Sequence, residues 1–298
     1  MKILSESEWR ARRAAHEGRV RPWLEPRLTR MARGERHPVE DFLFEYYSYR
    51  PAHLLRWHPG LEVTLENGGE FLGGKGYRKV DGPDSSPRVA IDPGRLTEER
   101  RRSLGWVRDL LERTASRPPA LGCFGLHEWA MVYRAETIRH TQWPLRLAPD
   151  EIAAVVEAAG IRCTHFDAFR FFTPSARPLN RLQPTRETVA EFEQPGCLHA
   201  NMDLYKWAMK LQPFSASELV ADCFALAREI RCLDMRASPY DFSAMDLKPV
   251  CIETPAGRAA YESAQREFAL RAAPLRQRVI ACCEALLEAA NGAERVAA

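Results

Sequence analysis

Between Ser215 and Arg236 the apolar residues Leu219, Cys223, Leu226, Ile230 and Leu233 recur at steps of four and three. That is the core-facing stripe of an amphipathic helix, and Ser215 with Glu218 gives it capping-box spacing. Helical patterning also covers 5–35, opened by Ser5 and Glu8 and interrupted near Pro22 and Pro26. Further helices are expected over "VEDFLFEYYSYRP", over "LTEERRRSLGWVRDLLERTASR" with Thr97 as N-cap, and over "HEWAMVYRAE". Two more fit "APDEIAAVVEAAG", ended by Gly160, and "MDLYKWAMKLQ". Thr254 and Pro255 start a long C-terminal helix broken near Pro274.

Strand patterning is confined to two places. Short runs within 61–92 surround a glycine-rich turn. The second place, roughly 163–172, contains "HFDAFRFF", and strand alternation would put His165, Asp167, Phe169 and Phe171 on one face. Phe166, Ala168, Arg170 and Phe172 would take the other. The expected fold class is mostly α with a small β element (α+β), in a single compact domain over 1–298. A basic helical segment occupies about 1–36, with ten Lys and Arg against five Glu.

Composition changes this picture little. The chain of 298 residues is 45% hydrophobic and 28% charged, in the range of globular domains. No run of about 18 apolar residues suggests a membrane span, and the amino terminus has no signal-peptide pattern. Eight scattered cysteines with no C-x-x-C pair argue against a zinc ribbon and fit reduced, buried thiols in a cytoplasmic protein. The net charge of +3 does not by itself call for a nucleic-acid partner. "GEFLGGKG" has P-loop spacing, but Gly76 stands where that loop needs Ser or Thr, so a glycine-rich hairpin is the better account.

The chemistry lies where polar groups interrupt apolar segments, since a buried charge needs a partner or a solvated pocket. His127 and Glu128 sit beside Trp129, with Arg134 as a candidate partner for the carboxylate. His199 and Asp203 stand at i, i+4, one helix face if the helix reaches back that far. Asn201 or Asp203 would otherwise serve as a helix cap. Asp222, Glu229 and Arg236, seven apart, form a polar ladder that neighbouring arginines and histidines would meet. His127 or Glu128, Asp167 and one of His199 and Asp203 are expected to line a common cavity.

The segments "HPVEDFLFEYYSYRPAHLLRWHPG", "ALGCFGLHEWAMVYR", "HFDAFRFFTP", "FEQPGCLHANMDLYKWA" and "SELVADCFALAREIRCLDMRASPYD" resemble a family of actinobacterial proteins labelled 3-methyladenine DNA glycosylase. That resemblance implies removal of alkylated bases from DNA, with no cofactor. No motif carries a catalytic residue over, so the site follows from chemistry. The flipped base would need aromatic walls, for which Trp129, Phe169, Phe171, Tyr205 and Trp207 are candidates. Asp167 or Glu128 would be the carboxylate, with His165 beside them as a further acid–base group. Arg170, Arg50 and the basic amino-terminal helix would contact phosphates. The alternative is a metal-dependent hydrolase or oxidoreductase acting on a small molecule, with His165, Asp167, His199 and Asp203 around zinc, iron or manganese. A non-catalytic binding protein is the third reading.

Overall fold

The computed structural model describes residues 2–82, 87–138 and 142–297. Its strands are β1 (Lys2–Leu4), β2 (Val63–Glu66), β3 (Tyr77–Asp81) and β4 (Pro87–Ile91). The helices in the first half are α1 (Glu6–Ala32), α2 (Phe42–Tyr46), α3 (Pro51–Leu55), α4 (Glu98–Ser116) and α5 (Leu126–Ala130). They continue with α6 (Pro149–Ala159), α7 (Phe166–Phe169), α8 (Val189–Phe192), α9 (Leu198–Lys210), α10 (Ser217–Arg236) and α11 (Pro255–Ala297). The fold is mostly α with a small β element, and among the described residues no helix is long and apolar enough to cross a membrane.

The chain divides into two compact units, each gathered from segments distant in sequence. The first comprises Met1–Asp109, Leu204–Ala225 and Leu275–Ala298. Its sheet has the order β1-β2-β4-β3, with β1 parallel to β2 and the other pairs antiparallel. Leu4, Trp9, Trp57, Val63 and Leu65 form a core cluster with Phe71 packed on it. Trp9 Nε1 donates to the Glu66 carbonyl at 2.8 Å and ties α1 to β2. The second unit comprises Leu110–Asp203 and Leu226–Pro274. Here Trp129 is fully buried and donates to the Ala237 carbonyl at 2.8 Å.

Several boundaries differ from the sequence reading, for physical reasons. Pro22 and Pro26 do not interrupt α1, which runs 27 residues behind its Ser5–Glu8 capping box. Gly18, Pro22 and Pro26 are all exposed, opposite buried His16, Val20, Leu24 and Arg27. The carbonyls that lose a donor therefore lie on the wet stripe. Pro274 likewise fails to break α11; it is exposed, and Leu270 one turn earlier is 71% exposed. Ser215 does not cap α10 but donates to the Ala208 carbonyl at 2.9 Å. β1 was not anticipated at all.

The expected strand at 163–172 is instead the short helix α7. Two pairs at helical spacing favour the turn. Asp167 meets Arg170 at 3.0 Å, and Phe169 meets Phe172 with ring centroids 5.1 Å apart. In a strand, residues three apart point to opposite faces and neither pair would form.

Candidate active site

The second unit buries a cluster of histidines, carboxylates and one arginine supplied by several elements. His127 and Glu128 come from α5, every residue of which is buried. The helix is entered through Gly125 at φ 68°, where an added Cβ would stand 3.4 Å from Tyr261 Cε2. His165 is the extended residue before α7. Its approach is fixed by Asn180, which accepts from the Cys163 N–H at 2.7 Å and donates to the Cys163 carbonyl at 3.0 Å. Glu193 follows α8, with Arg117 Nη1 donating to its carbonyl at 2.8 Å. α9 does reach back to Leu198, so His199 and Asp203 are both helical. Neither Asn201 nor Asp203 is therefore a helix cap, and Asn201 Nδ2 donates to the Pro195 carbonyl at 3.0 Å. Arg231 and Asp234 come from α10.

Two groups of possible ligand atoms result, each within 4.8 Å mutually: His127, His199 and Asp234, and His165, Glu193 and Asp203. All six residues belong to the second unit. In the first group His127 Nε2 lies 2.9 Å from Asp234 Oδ1. The two form a buried ion pair, with side chains 5% and 0% exposed. Asp234 Oδ2 accepts from Arg231 Nη1 at 2.9 Å, and the same nitrogen donates to Glu128 Oε1 at 3.0 Å. Glu128 thus pairs with Arg231, while Arg134 pairs with Glu157. In the second group His165 Nδ1 is 3.2 Å from Glu193 Oε1, and His165 Nε2 is 3.9 Å from Asp203 Oδ2. The groups adjoin through His199, stacked on His165 at 5.2 Å and edge-on to His127 at 4.4 Å.

Burial and charge act in opposite directions on these groups. Burial opposes the charged form of His127, but Asp234 outweighs it and the imidazole's pKa is raised. Burial lowers that of His199 far below the usual range, with His127 adding to the effect. Asp234 is held below the carboxylate range despite its burial, chiefly by His127. Beside His127 and His199 lies a pocket of ≈ 20 Å³ that Cys123, Cys163, Cys197 and Tyr261 also line. Burial raises all three thiols, Cys163 to about 12, so they stay protonated and are poor ligands.

The expected convergence is partly met. His127 and His199 line one pocket, and Glu128, His165 and Asp203 are buried in the same cluster. Asp167 joins neither ligand group; it pairs with Arg170 at 3.0 Å, with side-chain exposures of 35% and 43%. The proposed metal set His165, Asp167, His199 and Asp203 is accordingly split, with Glu193 and Asp234 in the places Asp167 was expected to fill. The candidate aromatic residues have packing partners within their own units. Trp129 and Phe169 are core residues of the second unit, and Phe171 lies under the Arg170 guanidinium at 4.2 Å. Tyr205 packs on Phe224, and Trp207 on Trp106, both within the first unit. None of the five lines the pocket beside His127. Arg50 is exposed before α3. The Asp222–Glu229–Arg236 ladder is a structural network: Asp222 takes Arg19 and Arg278, Glu229 takes Arg271, and Arg236 donates to the Lys248 carbonyl.

Asp234, Arg231 and Glu193 escaped the sequence reading. Arg231 and Asp234 stand four and seven residues after buried Ala227, so a second buried stripe runs along α10. No protein-family model, curated protein or solved structure matches the chain, and the chemistry must be argued from this geometry.

Proposed function

We propose that the chain is a metal-dependent oxidoreductase acting on a small molecule, with His127, His199 and Asp234 holding an iron or manganese ion. The observation that carries this reading is the grouping of His127, His199 and Asp234, whose possible ligand atoms all lie within 4.8 Å of one another. Two imidazoles and a carboxylate gathered so closely are costly to bury, and a cation between them offsets that cost. Two imidazoles and one carboxylate with open positions are a donor set that suits iron in oxygen-dependent chemistry. His165, Glu193 and Asp203 offer a comparable N/O set for a second ion.

The remaining groups have roles consistent with that assignment. Arg231 takes Asp234 Oδ2 and so leaves Oδ1 directed at His127, and Glu128 fixes Arg231 in turn. A space of ≈ 20 Å³ beside the imidazoles suits a reactant of about one water's size, such as dioxygen or water. A flipped purine needs far more room and an aromatic wall, so at these imidazoles the metal reading is preferred to base excision.

The test is elemental analysis of protein purified from iron- and manganese-supplemented cells. About one or two ions per chain are expected, lost together with oxygen consumption in His127→Ala and His199→Ala. Well under one ion per chain would sink the assignment. Release of methylated adenine from alkylated DNA by metal-free protein would put base excision in its place.

A further inference from the structure

The first unit carries a cavity of its own, ≈ 850 Å³, bordered by Gly73, Gly74 and Lys75 of the glycine-rich loop. That is the size of sites for small organic molecules, roughly 300–1,000 Å³. Half-buried Phe71 and Tyr49 offer it aromatic rings, with buried Trp57 and Tyr77 backing Phe71 at ring-centroid distances of 6.0 and 5.4 Å. Arg13, Arg56 and Lys75 bring positive charge, and Glu17 and Glu70 oppose it.

The balance among these charges matters more than their number. Glu70 is engaged by Arg13 at 2.6 Å and by Arg10 at 3.6 Å. Among the described residues Arg56, Lys75 and Glu17 have no ion partner within 4.0 Å, so two cations and one carboxylate face the cavity uncommitted, a net positive balance. His58 adds no charge: its Nδ1 lies 2.7 Å from the Tyr77 hydroxyl, and burial, helped by Arg56, lowers its pKa to about 4. Gln212 also lines the cavity, and its Nε2 is enclosed without a hydrogen-bond partner. The loop passes close to a neighbouring turn, since a Cβ on Gly76 (φ +88°) would stand 2.9 Å from Pro213 Cγ.

We infer that this cavity binds a small molecule with a planar heteroaromatic ring and a phosphate group, a nucleotide-like anion. Phe71 and Tyr49 take the ring by stacking. Arg56 and Lys75 take the phosphate, the first as a planar fork and the second as a point charge. Gly73 and Gly74, without side chains, leave the loop backbone open to the ligand. This is not a Walker-type site, because no helix begins after the loop and Gly76 replaces the magnesium-binding hydroxyl residue. The inference is independent of the metal assignment.

Calorimetric titration of the full chain tests it, with adenosine monophosphate as probe and adenosine and inorganic phosphate in separate runs. The nucleotide should bind with a dissociation constant below about 1 mM, and each fragment at least roughly tenfold more weakly. Arg56→Ala with Lys75→Ala should weaken nucleotide binding about tenfold or more and flatten its salt dependence. Both side chains are exposed, and an unchanged circular dichroism spectrum would verify that the fold persists. No heat at millimolar nucleotide, equal affinity in the double variant, or phosphate binding as tightly as the nucleotide would each overturn the inference.

Discussion

Asp234→Asn separates a metal ligand from a structural carboxylate. In the wild type an ion bound at 100 times its dissociation constant stabilises the fold by about 2.7 kcal/mol. For 298 residues unfolding as one transition, an entropy of about 2.1 cal/mol/K per residue converts this to roughly 4 °C in Tm. Chelation should therefore lower the wild-type midpoint by about 4 °C. The substitution has a second cost that chelation does not share. Arg231 Nη1 is bonded to both Asp234 and Glu128 inside the protein, and breaking a buried ion pair costs about 3–5 kcal/mol. Because Glu128 remains, the lower end applies, a further loss of roughly 5 °C. The assay is differential scanning fluorimetry with and without chelator, beside elemental analysis of the same samples. The variant should melt low, contain no metal and ignore the chelator. A wild-type midpoint unmoved by chelation, in protein without metal, refutes the ion. A variant that keeps its metal refutes Asp234 as a ligand.

Three other outcomes follow from the fold. Asp41 is 2% exposed and accepts from Arg30 at 2.6 Å and from the His37 N–H at 2.9 Å. Burial raises its pKa but Arg30, the His37 N–H and Arg27 together lower it below 3.8. The stability it contributes is thus present above its unfolded pKa and lost as pH falls through the lower folded value. Asp41→Asn should cost about 3 kcal/mol near neutral pH and flatten the acid limb of urea midpoints; an acid limb like that of the wild type would contradict the assignment. Gly76→Ala, at φ +88° and against Pro213, should destabilise by about 1–3 kcal/mol in urea melts, whereas a neutral result would mean the loop relaxes freely. Glu229→Ala removes a two-pronged pair with Arg271, but the side chains are 51% and 40% exposed, so less than about 1 kcal/mol should be lost.

Legibility of the fold depended on what kind of signal each element carried. Amphipathic stripes and caps were readable because they are local: Ser5 with Glu8 closes the capping box of α1, and Thr97 accepts from the Arg100 N–H at 3.3 Å. The prolines misled because their cost depends on which side of the helix lacks a donor. On the wet stripe of α1 water can serve the freed carbonyls, and only tertiary packing decides which stripe is wet. β1 has three residues and no pattern of its own; it exists because β2 offers it a parallel edge from Val63 to Leu65.

The candidate site shows the same limit more sharply, through two aspartates. Arg231 and Asp234 pair at i, i+3, and so do Asp167 and Arg170. Locally the two pairs are the same interaction. Sequence context pointed to Asp167 as the buried one, since phenylalanines surround it, whereas Asp234 sits in the charged run "RCLDMR". The outcome is the reverse: the Asp234 and Arg231 side chains are 0% and 6% exposed, against 35% and 43% for Asp167 and Arg170. Phe169 and Phe172 turn their rings to one another, Phe171 lies under Arg170, and the Asp167 carboxylate stays partly exposed. The charges around Asp234 are Arg228, Glu229, Arg231 and Arg236, and α10 exposes Glu229 and leaves Arg228 and Arg236 half-buried while Ala227, Arg231 and Asp234 turn in. Composition within a few residues therefore cannot rank the two. What does rank them is the phase of the helix, because a residue's face is set by its angle to the buried stripe and not by the polarity of its neighbours. Read by phase, Asp234 falls seven residues after Ala227 and four before Ser238, all buried, and a carboxylate at that angle has to find partners inside.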